Sequence, residues 1–237
     1  MKIFLDPGHN NSGGDTGATG NGLKEQDITF EITVKLKKLF VDHGYQVKMS
    51  RNASTDNVGD GSLNDSIRKR YQMSNDWGAD LFISIHVNSG GGTGAETLIY
   101  STGGKAEKYA LRVQSAIVDQ LGLKNRGVKV RSDLGVLRGT TAPAILVETG
   151  FIDNAGDAKL LREKQQEYAD AIFEGVTGKK PQYVKELTDI NDIVWEYAHR
   201  GIVTDSEGMK EAMKAAPEGR LYWLARKALQ YMRERNI

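Results

Sequence analysis

The most constraining feature of this chain is the apolar run at residues 81–85, LFISI, which closes on His86. A strand-length segment with so little polar character has no wet side. It belongs inside a sheet covered on both faces, which is the environment of parallel strands. Two further runs are of the same kind: residues 2–5, stopped by Asp6-Pro7-Gly8, and residues 144–147, which close on Glu148. Weaker strand signals lie at residues 45–51, 96–100, 128–130 and 136–137. Between the strands, apolar residues recur at helical spacing. Ile28, Ile32, Leu36, Leu39 and Phe40 precede Gly44, residues 67–76 end near Gly78, and residues 106–121 carry Ala110, Val113, Ile117 and Leu121 on one face, with a closing helix over residues 157–176. This alternation predicts an α/β fold, a mostly parallel twisted sheet with helices on both faces.

Glycine marks where that fold ends. All but three of the 27 glycines precede residue 179, and they cluster in loops after the first strand and after His86. Past Gly178-Lys179-Lys180-Pro181 the glycine loops stop and helical periodicity takes over. Leu187, Ile190, Val194 and Tyr197 share one face, Met209, Ala212, Met213 and Ala216 a second, and Leu221, Leu224, Ala225, Ala228, Leu229 and Met232 a third. The expected organisation is a catalytic domain at residues 1–178, a linker at 179–184 and a small all-α domain at 185–237.

Composition narrows the chemistry. With no cysteine, disulfides, thiolate zinc ligands, iron–sulfur clusters and a cysteine nucleophile are all excluded, so a bound metal would need His and carboxylate ligands. Lys plus Arg is 32 against 31 for Asp plus Glu, so no global field gathers nucleic acid or an anionic membrane. No run reaches the roughly 18 apolar residues of a membrane helix. The opening MKIFLDPGHN lacks the apolar core of a signal peptide, which predicts synthesis in the cytoplasm and release to its site of action by another route.

The four histidines are informative because they are few. His9 follows the first strand and His86 ends the apolar run at 81–85; Glu148 closes a third strand, and Glu25 opens the first helix after the glycine loop. In an open parallel sheet the carboxyl ends of strands gather ligands and catalytic groups. Two imidazoles, a carboxylate and an open position make up a catalytic zinc site, and a second carboxylate outside the metal shell supplies a general base. The bland alternative is a pair of hydrogen-bonded histidines beside structural carboxylates. His43 and His199 precede Gly44 and Gly201 and read as helix-end residues. The Asp56-Asn57-Val58-Gly59-Asp60-Gly61 stretch departs from a calcium loop at Val58 and Ile67, and reads as a solvated loop. Gly8, Gly13 and Gly14 lack the lysine and spacing of a phosphate loop.

The segments DPGHNNSGGDTGA, GLKEQD, ADLFISIHVNS, GAETLIY and PAILVETGFIDN, taken in order, resemble the zinc-dependent N-acetylmuramoyl-L-alanine amidases of the type 3 amidase family. The resemblance runs from about residue 2 to residue 176. It implies that His9, Glu25 and His86 hold Zn2+ and that Glu148 is the catalytic glutamate. Arg51, Arg70 and Asn75 also match positions the family fills alike, with a structural role expected. HVNS and SR stand where HANS and TR are common, away from those positions. Residues 89–96 form a short glycine loop without the inserted autoinhibitory helix of some cell-division amidases.

The implied reaction is hydrolysis of the amide joining N-acetylmuramic acid to the L-alanine of the peptidoglycan stem. A lytic domain followed by a small module suits a phage endolysin. A host autolysin or sporulation-associated amidase, a zinc peptidase acting within the stem, and a non-catalytic wall-binding protein are the alternatives. For residues 185–237 the expectation is binding to the wall, to a secondary wall polymer for example, with Trp195, Tyr197, Tyr222, Trp223 and Tyr231 serving either as sugar-stacking faces or as core.

Overall fold

The computed structural model divides the chain at Tyr183 and Val184 into two units, and describes residues 1–183. The helical module expected at 185–237, with its aromatic residues and His199, lies outside the described residues.

The described unit runs β1 (Lys2–Pro7), β2 (Thr19–Gly20), β3 (Leu23–Lys24), α1 (Glu25–Asp42), β4 (Gln46–Met49), α2 (Leu63–Trp77), β5 (Leu81–Asn88), β6 (Ala95–Ile99), α3 (Lys105–Leu121), β7 (Asn125–Val130), α4 (Gly135–Gly139), β8 (Ala144–Phe151), α5 (Ala155–Glu163) and α6 (Gln165–Thr177). Six strands form one sheet in the order β4-β1-β5-β8-β6-β7. The first four are parallel; β6 pairs antiparallel with β8, and β7 follows β6. The apolar runs occupy the centre of the sheet, where Phe4, Phe82, Ile83 and Ile145 are fully buried.

The two faces are covered unequally. Ile3, Leu5, Ile83, Ile85 and Val147 pack beneath α1, α3 and α6 in a large core with Ile32, Leu36, Ile117, Tyr168 and Ile172. On the other face Phe4, Phe82, Leu98 and Leu146 meet Val136 and Leu137 of α4 and Ile67 and Trp77 of α2 in a much smaller cluster. Because strand side chains alternate between faces, the residues continuing this second face toward the strand ends are His86 and Glu148. Both are only partly buried, and Glu25 at the start of α1 reaches His86 there.

Local chemistry sets the element boundaries. Ser62 caps α2 by accepting from the Asp65 backbone N–H, and Gly78 ends it in the left-handed region at φ 68°. Asn154 caps α5 through the N–H groups of Gly156 and Asp157.

Three expectations are corrected. Residues 136–137 form no strand: they lie in α4, buried side by side because Gly135 and Gly139 let this short helix approach Ile67 and Tyr71 of α2. Two apolar residues are too few to distinguish the strand period from the helical one. Residues 157–176 are not one helix, since α5 and α6 meet at Lys164, whose backbone at φ −121° and ψ 28° is not helical. The first glycine loop also contains a small hairpin, β2 with β3, turned by Asn21 and Gly22 at φ 49° and 75°, values that suit an Asn-Gly two-residue turn.

Candidate active site

Three devices deliver the four candidate residues. His9 leaves β1 through Pro7-Gly8 and adopts φ 66°, a left-handed conformation uncommon outside glycine. Glu25 is the first residue of α1, and the β2–β3 hairpin brings it inward, with Glu25 N–H donating to Ala18 O at 2.9 Å. His86 and Glu148 are Cα partners across β5 and β8, so adjacent strands present them on one face.

His9, Glu25 and His86 converge. Glu25 Oε1 lies 3.1 Å from His9 Nε2 and 3.2 Å from His86 Nδ1, and the two rings meet edge to face with centroids 4.8 Å apart. One donor atom from each residue falls within 4.8 Å of the others. Backbone amides fix the carboxylate: Val87 N–H donates to Oε1 and Ala18 N–H to Oε2, each at 2.9 Å. Glycine makes the room. A Cβ on Gly8 would come within 2.5 Å of the His86 ring, and one on Gly17 within 2.7 Å of Glu25 Cβ.

A buried network stands behind the site. His9 Nδ1 lies 3.0 Å from Asp15 Oδ1, and Asp15 Oδ2 accepts from Ser66 at 2.5 Å and from Arg70 at 3.5 Å. Arg70 also donates to Asp6 at 2.7 Å, to Pro7 O and to Asn10, while Ser50 and Ser84 donate to Asp6. Arg51, fully buried, donates to the carbonyls of Gly8 and Gln26, clamping the two segments that carry His9 and Glu25. Asn75 joins Gly139 O to Thr141, well away from the site. His43 Nδ1 lies 2.8 Å from Leu39 O at the end of α1. In the loop at 56–61, Asp56 and Asp60 accept from nearby backbone amides of their own loop.

The electrostatics separate the two glutamates. Burial alone would raise Glu25, but His86 and His9 hold it well below the usual carboxylate range. Burial opposes protonation of His9, yet the carboxylates of Asp15 and Glu25 outweigh it and raise the imidazole to about 9. Glu148 moves the other way, pushed up to about 7 chiefly by burial. Its Oε2 is buried without a hydrogen-bond partner, a carboxyl oxygen held free beside His86.

The donor set fits zinc. Two imidazoles and a carboxylate with no thiolate are a catalytic zinc combination, and a histidine whose second ring nitrogen is held by a carboxylate, as Asp15 holds His9, is the usual support of a metal ligand. Asp15 was not among the residues singled out by sequence; the signal available was only an aspartate six residues after His9 in the glycine loop.

An α/β sheet whose strand ends carry a His-Glu-His group able to hold a metal ion, beside a buried glutamate, has the donor set of a zinc hydrolase. The N-acetylmuramoyl-L-alanine amidase family model matches residues 3–178, and the chain belongs to that family. It is 41% identical over 163 residues to the sporulation-specific N-acetylmuramoyl-L-alanine amidase of Bacillus subtilis, covering 68% of this chain and 60% of that protein. It is 37% identical over 181 residues to the endolysin of Bacillus phage SPP1, covering 73% of this chain and 62% of that one. The chain thus spans about three fifths of the length of these relatives. The crystal structure of an N-acetylmuramoyl-L-alanine amidase from Clostridium difficile 630 superposes with a TM-score of 0.65 at 31% identity, covering 75% of this chain and 95% of that one.

Proposed function

We propose that this protein hydrolyses the amide between N-acetylmuramic acid and the L-alanine of the peptidoglycan stem, with His9, Glu25 and His86 holding Zn2+ and Glu148 acting as general base. The observation that carries the reading is the convergence of three metal donors beside a glutamate whose Oε2 is buried and unpartnered. Bound there, zinc supplies Lewis acidity, polarising a carbonyl and making water acidic near neutral pH.

The remaining chemistry belongs to the chain. Glu148, ionised above about pH 7, accepts the proton of the attacking water. It then returns that proton to the alanine nitrogen, which leaves as a neutral amine. Asp15 keeps the His9 ring oriented through Nδ1, and the amides of Ala18 and Val87 keep Glu25 from rotating.

Mass spectrometry of products from defined muropeptides tests this. A free stem peptide beginning with L-alanine beside intact glycan is expected; cleavage inside the stem would replace the reading with a zinc peptidase.

The biological setting we propose is phage lysis, in which the protein acts as an endolysin and residues 185–237 bind the wall through a secondary polymer. Similarity to a phage endolysin supports it, while similarity to a sporulation-specific amidase supports a host autolysin as the second reading. Added to purified vegetative walls and to spore cortex, an endolysin clears the walls; preference for cortex favours the second reading. For the module, the full Glu148→Gln chain should sediment with walls and a chain ending at residue 183 should not.

A further inference from the structure

The floor of the site holds a second polar group that the chemistry above does not use. Glu96 lies on β6, is the Cα partner of Glu148 across the antiparallel pair, and is 7% exposed. Its Oε2 accepts from Arg126 Nε at 2.7 Å and from Lys129 Nζ, and its Oε1 from Asn88 at 3.1 Å. Arg126 and Lys129 are three residues apart on β7, a spacing that puts side chains on opposite faces of a regular strand. They meet at one carboxylate because β7 carries an extra residue: Ala95 pairs with Asn125 but Thr97 with Val128, and Gly127 takes φ 80° within the irregularity. Bulges are rare in parallel pairs, and they re-aim side chains.

Arg126 and Lys129 together carry one charge more than the Glu96 carboxylate that they share. The Arg126 guanidinium lies 4.7 Å from the Phe151 ring centroid, which restrains its plane, and its terminal Nη groups have no hydrogen-bond partner among the described residues. Lys129 spends one of its three donors on Glu96. Both side chains are partly exposed, 28% and 43%. The result is a pre-oriented fork next to Glu148, with Glu96 as its positioning residue. A planar guanidinium with free amino groups matches a carboxylate in two parallel hydrogen bonds.

We propose that Arg126, supported by Lys129, binds the free α-carboxylate of the stem residue that follows L-alanine, so that the protein prefers acidic over amidated stems. This rests on the amidase reading. The head of Arg126 sits on Glu96, the Cα partner of Glu148 on the next strand, on the side of β8 opposite to β5 and His86. On this reading the residue after L-alanine lies at this fork, with the stem leaving the site across β6.

The test is steady-state hydrolysis by the full, zinc-loaded chain of two N-acetylmuramoyl tripeptides that differ only in D-glutamate or D-isoglutamine at the second position, both with amidated C-termini. The glutamate form should show a KM lower by about 10-fold, the scale of a charge-assisted hydrogen bond, with similar kcat. Arg126→Gln should bring the ratio of the two KM values close to one, and Arg126→Lys should restore part of it. If Arg126→Gln does not fold by circular dichroism, Lys129→Gln should still shrink the ratio. Equal KM values in the wild type, a preference for the amide, or a ratio that survives these substitutions overturns the proposal and leaves the amidase reading standing. No turnover of either compound overturns both.

Discussion

His86 and Glu148 stand abreast in the sheet, Cα partners on the parallel strands β5 and β8. One backbone ladder therefore sets the distance between a metal-binding candidate and the proposed base, and neither depends on a loop for its placement. Replacing one should leave the position of the other intact.

Glu148→Gln should accordingly keep the metal and the fold while turnover falls by about 10²- to 10⁴-fold, the usual weight of a general base. Metal content by elemental analysis and release of stem peptide check this together. In the wild type, the rate should rise with pH as Glu148 loses its proton, with the acid limb at or below about 7, since a dication nearby favours the ionised form. Wild-type turnover by Glu148→Gln would remove the base assignment.

Metal affinity should depend on pH through His9. Its imidazole titrates near 9 in the metal-free protein, and a ligand must be neutral. Apparent zinc affinity should rise about tenfold per pH unit up to that value, read by competition with a chelator. The stability of the metal-free protein should follow the opposite trend. A raised histidine contributes stability that is complete below its ordinary value near 6.5 and is lost as pH rises through about 9, at most ~3 kcal/mol. Denaturation of the apo protein at pH 6 and pH 9.5 should show it weaker at the higher pH.

Gly8→Ala and Gly17→Ala should each weaken metal binding by about 10- to 100-fold, the range seen when the support of a ligand is disturbed. The added methyl would press on the His86 ring and the Ile85 carbonyl in the first case and on Glu25 in the second. Gly22→Ala, where a Cβ meets nothing within 4 Å, is the control; its positive φ strains the turn but does not touch the donors. Zinc titration of all three separates crowding from general destabilisation.

Arg70→Met should destabilise the described unit by about 3–5 kcal/mol, because Asp6 would be left buried and charged without its cation. That corresponds to a loss of about 10 °C in Tm for a unit of this size. Adding Asp6→Asn to it should recover part of the loss, and thermal denaturation of the single and double variants measures the coupling.

Much of this was legible in the sequence because the central strands are buried on both sides, so that their apolar runs stand out and end at visible polar residues. His9, His86 and Glu148 were legible as strand-end residues, and Glu25 as the opening of a helix after a glycine loop. The direction of β6 was not legible, since its five buried residues read the same in a parallel or an antiparallel pair. Nor was the meeting of Arg126 with Lys129, because it depends on a bulge that breaks the two-residue period. Asp15 was hidden for a different reason: its partners Ser66 and Arg70 lie more than fifty residues away in α2, and only tertiary structure joins them. The apolar pair Val136 and Leu137 misled because their burial comes from two glycines that let helices touch.

The unequal covering of the sheet bears on how the proposed substrate, a solid, would be met. Within the described unit, the upper part of the second face takes its polar groups, His86, Glu148 and Glu96, from neighbouring strands of one sheet, and the apolar cluster beneath it is the smaller of the two. A cross-linked mesh has few free ends, so a tunnel would wait for breaks that others had made. If the proposed substrate is a cross-linked mesh, groups set side by side along a sheet edge would let a strand be engaged from its side, and the first cut in an intact net would be as accessible as the last.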